Sequence, residues 1–213
     1  MSPLIVLTLA VAGGVMGIGV GLVQERQLRK AGGWAATSAM GDVGLERLRW
    51  VAPAVMATLA AKTALSDQPF AVLACLPLAV AGPWLLTVHA TRIGSPDRVL
   101  AATAFLTANC VIFAAAFTGT GQALVTAPLG LVLLTCGALV AGRLLAGTVT
   151  IAEVKLAALV GLATGTLGWP ALTIAMLCAS ILGVGSAALG HFRRPALVPA
   201  LLAAAWVATL AAL

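Results

Sequence analysis

Apolar residues run through this chain in long blocks, and polar residues gather in the short gaps between them. Eight blocks stand out, at residues 3–23, 49–65, 70–90, 98–117, 123–145, 152–168, 170–190 and 196–213. Most are long enough for a helix to cross a hydrocarbon layer of roughly 30 Å, which takes about 20 residues. They show no strict alternation of apolar and polar positions over about 10 residues, the mark of a membrane barrel strand. Backbone polar groups in lipid must bond within their own segment or close into a barrel. The pattern therefore predicts an all-α fold, a polytopic membrane helix bundle of about eight transmembrane helices.

Composition agrees with that pattern. Of 213 residues, 62% are hydrophobic and 8% charged, and mean hydropathy is +1.11. The first block is not flanked as a signal peptide would be, because its charges follow it, at Glu25, Arg26, Arg29 and Lys30, and do not precede it. Alternating the connections between two sides places Arg26, Arg29, Lys30, Arg47, Arg49, Arg92, Arg98, Arg143, Lys155, Arg193 and Arg194 together and leaves Lys62 alone opposite them. By the positive-inside rule the rich side is cytoplasmic, with both termini outside. The net charge of +6 thus reflects topology, and no nucleic-acid partner is expected: the basic residues are spread over several loops without interleaved aromatics. The expected partner of the apolar surface is the lipid bilayer itself.

The longest connector, 24–49, contains glycines, serine and mixed charge, and is read as a cytoplasmic loop. The chain accordingly divides into a first helix with its loop, 1–48, and a helical membrane domain, 49–213. Cys75, Cys110, Cys136 and Cys178 all fall inside apolar blocks without a CxxC spacing, so neither a metal site nor a cofactor is expected. Gly13, Gly17 and Gly21, and again Gly161 and Gly165, stand four residues apart and predict close helix packing. The tryptophans fall mostly near block ends, where they serve as interface anchors.

Two ionisable positions carry the candidate chemistry. Glu153 and Lys155 open the sixth block, and ionisable residues in a membrane segment mark function by default. From Glu153 the same helix face continues through Ala157, Val160, Gly161, Thr164 and Gly165. A face of such small residues packs on other helices, so the carboxylate is expected to look into the bundle. Lys155 lies on nearly the opposite side and is expected to reach the cytoplasmic surface.

The stretch Thr150-Ile151-Ala152-Glu153-Val154-Lys155-Leu156 resembles the second active-site motif of the type IV prepilin peptidases, the bacterial GxGD intramembrane aspartic proteases. That family has Gly-x-Gly-Asp-Val-Lys-Leu there. Its first aspartate ends an earlier helix and is followed seven residues later by proline and then Asn or Asp, a layout matched by His89 with Pro96 and Asp97. The resemblance runs from about Trp50 to the C-terminus. It implies an eight-span fold in a bacterial plasma membrane, prepilin or pilin-like leader helices as partners, and catalytic positions at His89 and Glu153, with Pro96, Asp97, Val154 and Lys155 flanking them.

Both family aspartates are substituted, and Thr150 and Ala152 replace the two glycines. Two carboxylates that share a proton supply the acid and base of aspartic proteolysis. A histidine facing a glutamate forms an imidazolium–carboxylate pair instead, and one extra methylene displaces the acid by about 1 Å, enough to cost roughly 100-fold. The resemblance thus implies a degenerate dyad with weak or no proteolysis. Two other readings stay open: an active aspartic-type endopeptidase using this pair, and a small transporter or channel component in which the pair relays protons or cations. A further echo, Gly41-Asp42-Val43, lies in the connector without an apolar helix start behind it.

Overall fold

The computed structural model describes residues 3–91, 97–118, 121–144, 149–188 and 197–211, and of the side chains of 27–49 it gives no account. Among these residues every regular element is an α-helix: α1 (Pro3–Leu65), α2 (Pro69–Leu73), α3 (Leu76–Thr91), α4 (Asp97–Thr118), α5 (Gln122–Leu144), α6 (Ile151–Gly165), α7 (Trp169–Ala188) and α8 (Leu197–Ala211). Four described stretches are long and apolar enough to cross a membrane: Pro3–Arg26, Pro69–Leu86, Asp97–Phe117 and Gln122–Arg143. Trp50–Leu65, Trp169–Gly185 and Leu197–Ala211 are shorter apolar helices.

Large apolar side chains face outward along much of this surface. Met16 is 65% exposed, Phe105 70% and Ile181 68%, each beside further exposed aliphatic residues on its own helix. A soluble monomer rarely shows contiguous apolar area beyond a few hundred Å². Lipid tails make such a surface inexpensive.

The contacts sort into two compact units, Met1–Pro69 with Ala79–Val99, and Phe70–Leu78 with Leu100–Leu213. In the first, the backbone is locally helical from Pro3 to Leu65, so the connector expected as a loop is made largely of helical turns. Its Ala, Leu, Gln, Glu, Lys and Arg content, all favourable helix formers, accounts for that. It is not one straight rod. A Cβ added to Gly13 would lie 2.6 Å from the carbonyl oxygen of Met56, whereas 43 residues of straight helix would separate them by about 65 Å. Residues around Gly13–Gly17 and Ala52–Met56 therefore lie side by side, and the buried Gly13 and Gly17 let these two limbs meet at Met56 and Pro53. This is the close packing predicted from the glycine spacing.

The block expected as one helix over 70–90 is broken. α2 stops at Leu73, and Pro77 explains the position: it has no N–H to bond the carbonyl four residues back, which is Leu73 itself, and its ring crowds that group. Short bonds from the Ala74 and Cys75 amides to the Ala71 and Val72 carbonyls close the turn.

In the second unit α6 packs against α5, α7 and α8, and α7 against α8. Close approach rests on small residues. Ala171, Ala175 and Ala208 form a fully buried contact between α7 and α8. Gly130 of α5 and Gly161 of α6 meet backbone to backbone, and Gly165 lies against Thr126 and Ala127 in the same way. α6 ends at Gly165, three residues before the end expected from hydropathy. There Gly168, at φ +94°, turns the chain into α7 in a conformation that side chains with a Cβ rarely adopt. At this end Thr166 Oγ1 donates to the carbonyls of Ala163 and Ala71, Cys75 Sγ donates to Ala163, and Thr209 Oγ1 donates to Cys75 Sγ. The broken segment is thus tied to α6 and α8 by buried polar groups.

Candidate functional site

Helix α6 begins in a capping box. Thr150 has extended backbone at φ −88° and ψ 157°, which sets it as the residue that opens the helix. Its hydroxyl oxygen accepts from the Glu153 amide at 3.3 Å. In return Glu153 Oε2 accepts from the Thr150 amide at 2.6 Å and from its hydroxyl at 2.9 Å. The exchange satisfies the Thr150 amide and reinforces the Glu153 amide, which also donates to the Thr150 carbonyl at 3.1 Å, and the carboxylate sits where the helix dipole favours negative charge.

Glu153 is 5% exposed, as expected of a carboxylate turned into the bundle. The face behind it is buried too, with Ala157, Val160 and Thr164 fully enclosed and Gly161 and Gly165 against α5. Lys155 is exposed, on the side expected of it, and Val154 between them is half-buried.

The other candidate positions are less fully described. His89 stands in α3, and its side chain lies outside the described residues, as does Pro96. Asp97 is the first residue of α4 and is exposed. His89 belongs to the first compact unit and Glu153 to the second. The described contacts of the Glu153 carboxylate are with its own helix start.

No family model, curated protein or solved structure matches the chain. Function has to be argued from the geometry at α6.

Among the described residues no three His, Cys, Asp or Glu side chains come together as a metal site would require. The four cysteines are free thiols, Cys75 buried and Cys136 exposed.

Two features escaped the reading of the sequence. Thr150 and Glu153 spell T-x-x-E before an apolar run, which is the signature of a capping box. Lys62, placed by charge alternation on the outer side, is buried at 5% exposure in the last turn of α1, where a cation complements the helix dipole. A lone lysine within an apolar block is the signal that could have marked it.

Proposed function

We propose that this chain is a prepilin-peptidase-like integral membrane protein, spanning a bacterial plasma membrane about eight times, whose dyad positions have degenerated so that proteolysis is weak or absent. The observation that carries the reading is the engagement of Glu153 with Thr150. A general base must offer a lone pair to the water it activates. Glu153 Oε2 accepts two hydrogen bonds from the start of its own helix, which ties the carboxylate to the helix start and leaves only Oε1 to meet a water. The residue at the second dyad position thus serves the fold.

Binding outlasts catalysis in this reading. A leader helix is held by apolar packing, which needs neither acid nor base. The outward aliphatic surface and the four long apolar helices support a membrane location, and the motif layout around His89 and Glu153 supports the peptidase-like scaffold.

The test is cleavage of a co-expressed prepilin in membranes by the unaltered chain, by Glu153→Ala, and by the double variant His89→Asp with Glu153→Asp. Prepilin left uncut by the unaltered chain, yet recovered with it after mild detergent extraction, is the expected result. Cleavage by the unaltered chain that disappears in Glu153→Ala would establish a working protease and overturn the proposal. Cleavage gained in the double variant would support a scaffold that has lost its acid and base.

A further inference from the structure

Both hydrogen bonds to Glu153 Oε2 come from one residue. The Thr150 amide donates at 2.6 Å and the Thr150 hydroxyl at 2.9 Å, and among the described residues the carboxylate accepts from Thr150 alone. A glutamate has several rotamers open to it, and these two bonds select one that bends back over the helix start. The group so held is also enclosed, at 5% exposure. Thr150 itself is exposed.

The helix does not need this tether in order to begin. The Thr150 carbonyl accepts from the Glu153 and Val154 amides at 3.1 Å each, and a substitution at 150 leaves that carbonyl in place. Position 150 also tolerates the loss of both donors together. Its φ of −88° is near the value that proline fixes, and Val149 before it is not helical, as a residue preceding proline prefers. The restraint on the carboxylate can therefore be removed in steps: valine takes away the hydroxyl, and proline takes away the hydroxyl and the N–H.

We infer that Thr150 is a positioning residue, a catch that keeps the Glu153 carboxylate folded onto its own helix start and so decides what that group can meet. Burial alone does not silence it. With the catch in place Oε2 is engaged and the side chain is fixed; once it is gone, both oxygens and the other rotamers become available to a water, a proton or a reagent. This holds whether or not the chain binds a leader helix, so it does not rest on the peptidase-like reading.

Labelling of the full chain in lipid nanodiscs by dicyclohexylcarbodiimide, an apolar reagent, tests it. A carboxylic acid gives its proton to a carbodiimide nitrogen, its oxygen adds to the central carbon, and the O-acylurea so formed rearranges to a stable N-acylurea that mass spectrometry locates at Glu153. Glu153→Gln should carry no adduct there. Thr150→Ser keeps both donors and should label at the rate of the unaltered chain. Thr150→Val should label about 5-fold faster, the equivalent of one net hydrogen bond, and Thr150→Pro at least about 10-fold faster. Gly161→Ala disturbs the packing of α6 without touching Thr150 and should leave the rate unchanged. Valine and proline variants that label no faster than the unaltered chain would overturn the catch and leave enclosure as the restraint. Gly161→Ala labelling as fast as Thr150→Pro would also overturn it, because loosening of the helix would then account for the reaction. Should Thr150→Pro fail to fold, the comparison of Thr150→Ser with Thr150→Val decides alone.

Discussion

If Glu153 is first a helix-capping residue, its removal must weaken α6 whether or not any substrate is cut. Glu153→Ala deletes two hydrogen bonds to one carboxylate oxygen, at 2.6 and 2.9 Å, together with a negative charge in the first turn. Bonds to a charged group contribute about 1.5–3 kcal/mol each when enclosed. Thr150 itself is exposed, so water compensates part of the loss, and the two bonds share one oxygen. About 2 kcal/mol for Glu153→Ala is a reasonable sum, of which about 0.5 kcal/mol is the dipole interaction. Glu153→Gln keeps an acceptor and should lose about half as much, and Thr150→Val should cost about 1 kcal/mol, a usual value for a lost cap. For a chain of this length 1 kcal/mol corresponds to about 2–4 °C in Tm, so Glu153→Ala should melt about 4–8 °C lower in detergent micelles. In the double variant the two losses should fall short of their sum, because each removes the same exchange. A Glu153→Ala protein that melts with the unaltered chain would refute the capping argument.

The glycine contacts give a paired test. Gly161→Ala places a Cβ 2.9 Å from the Leu131 amide nitrogen and against the Gly130 carbonyl, and should cost about 1–2 kcal/mol after the gain in helix propensity is subtracted. Gly137→Ala, with no atom within 4 Å of its added Cβ, should instead raise the melting temperature by up to about 4 °C. Thermal melts of the two variants shifting in the same direction would contradict the packing described for α5 and α6. The outward apolar surface predicts that the chain stays with membranes through an alkaline carbonate wash; release into the supernatant would rule out spanning helices. Reporter fusions should be active outside the cell after Gln68 and inside after Arg143, and the reverse pattern would invert the proposed topology.

Periodicity and hydropathy placed the helices well where packing does not interrupt them. The limits of α4 and α5 fall within a residue or two of the blocks that predict them, because Asp97 and Gln122 mark sharp polar starts. They failed where a local rule overrides hydropathy. Pro77 divides one apolar block into α2 and α3, and the helix formers of the connector outweigh its glycines. The small-residue face of α6 was legible because glycine and alanine recur there at helical spacing. Its partner Gly130 was not, since the three glycines of α5, at Gly130, Gly137 and Gly142, do not stand four residues apart, and which of them makes a contact shows only when the facing helix is known. The capping box was present in four letters, but a motif comparison gave each of those letters another meaning.

The crossing of Gly130 and Gly161 also has a mechanical consequence. Two backbones in direct contact leave no gap for a lipid tail, a water file or a guest helix to wedge between α5 and α6. Prying them apart would expose peptide groups to hydrocarbon along both. That pair therefore behaves as a single stiff plank, and any segment that enters between helices has to do so along some other seam of the protein.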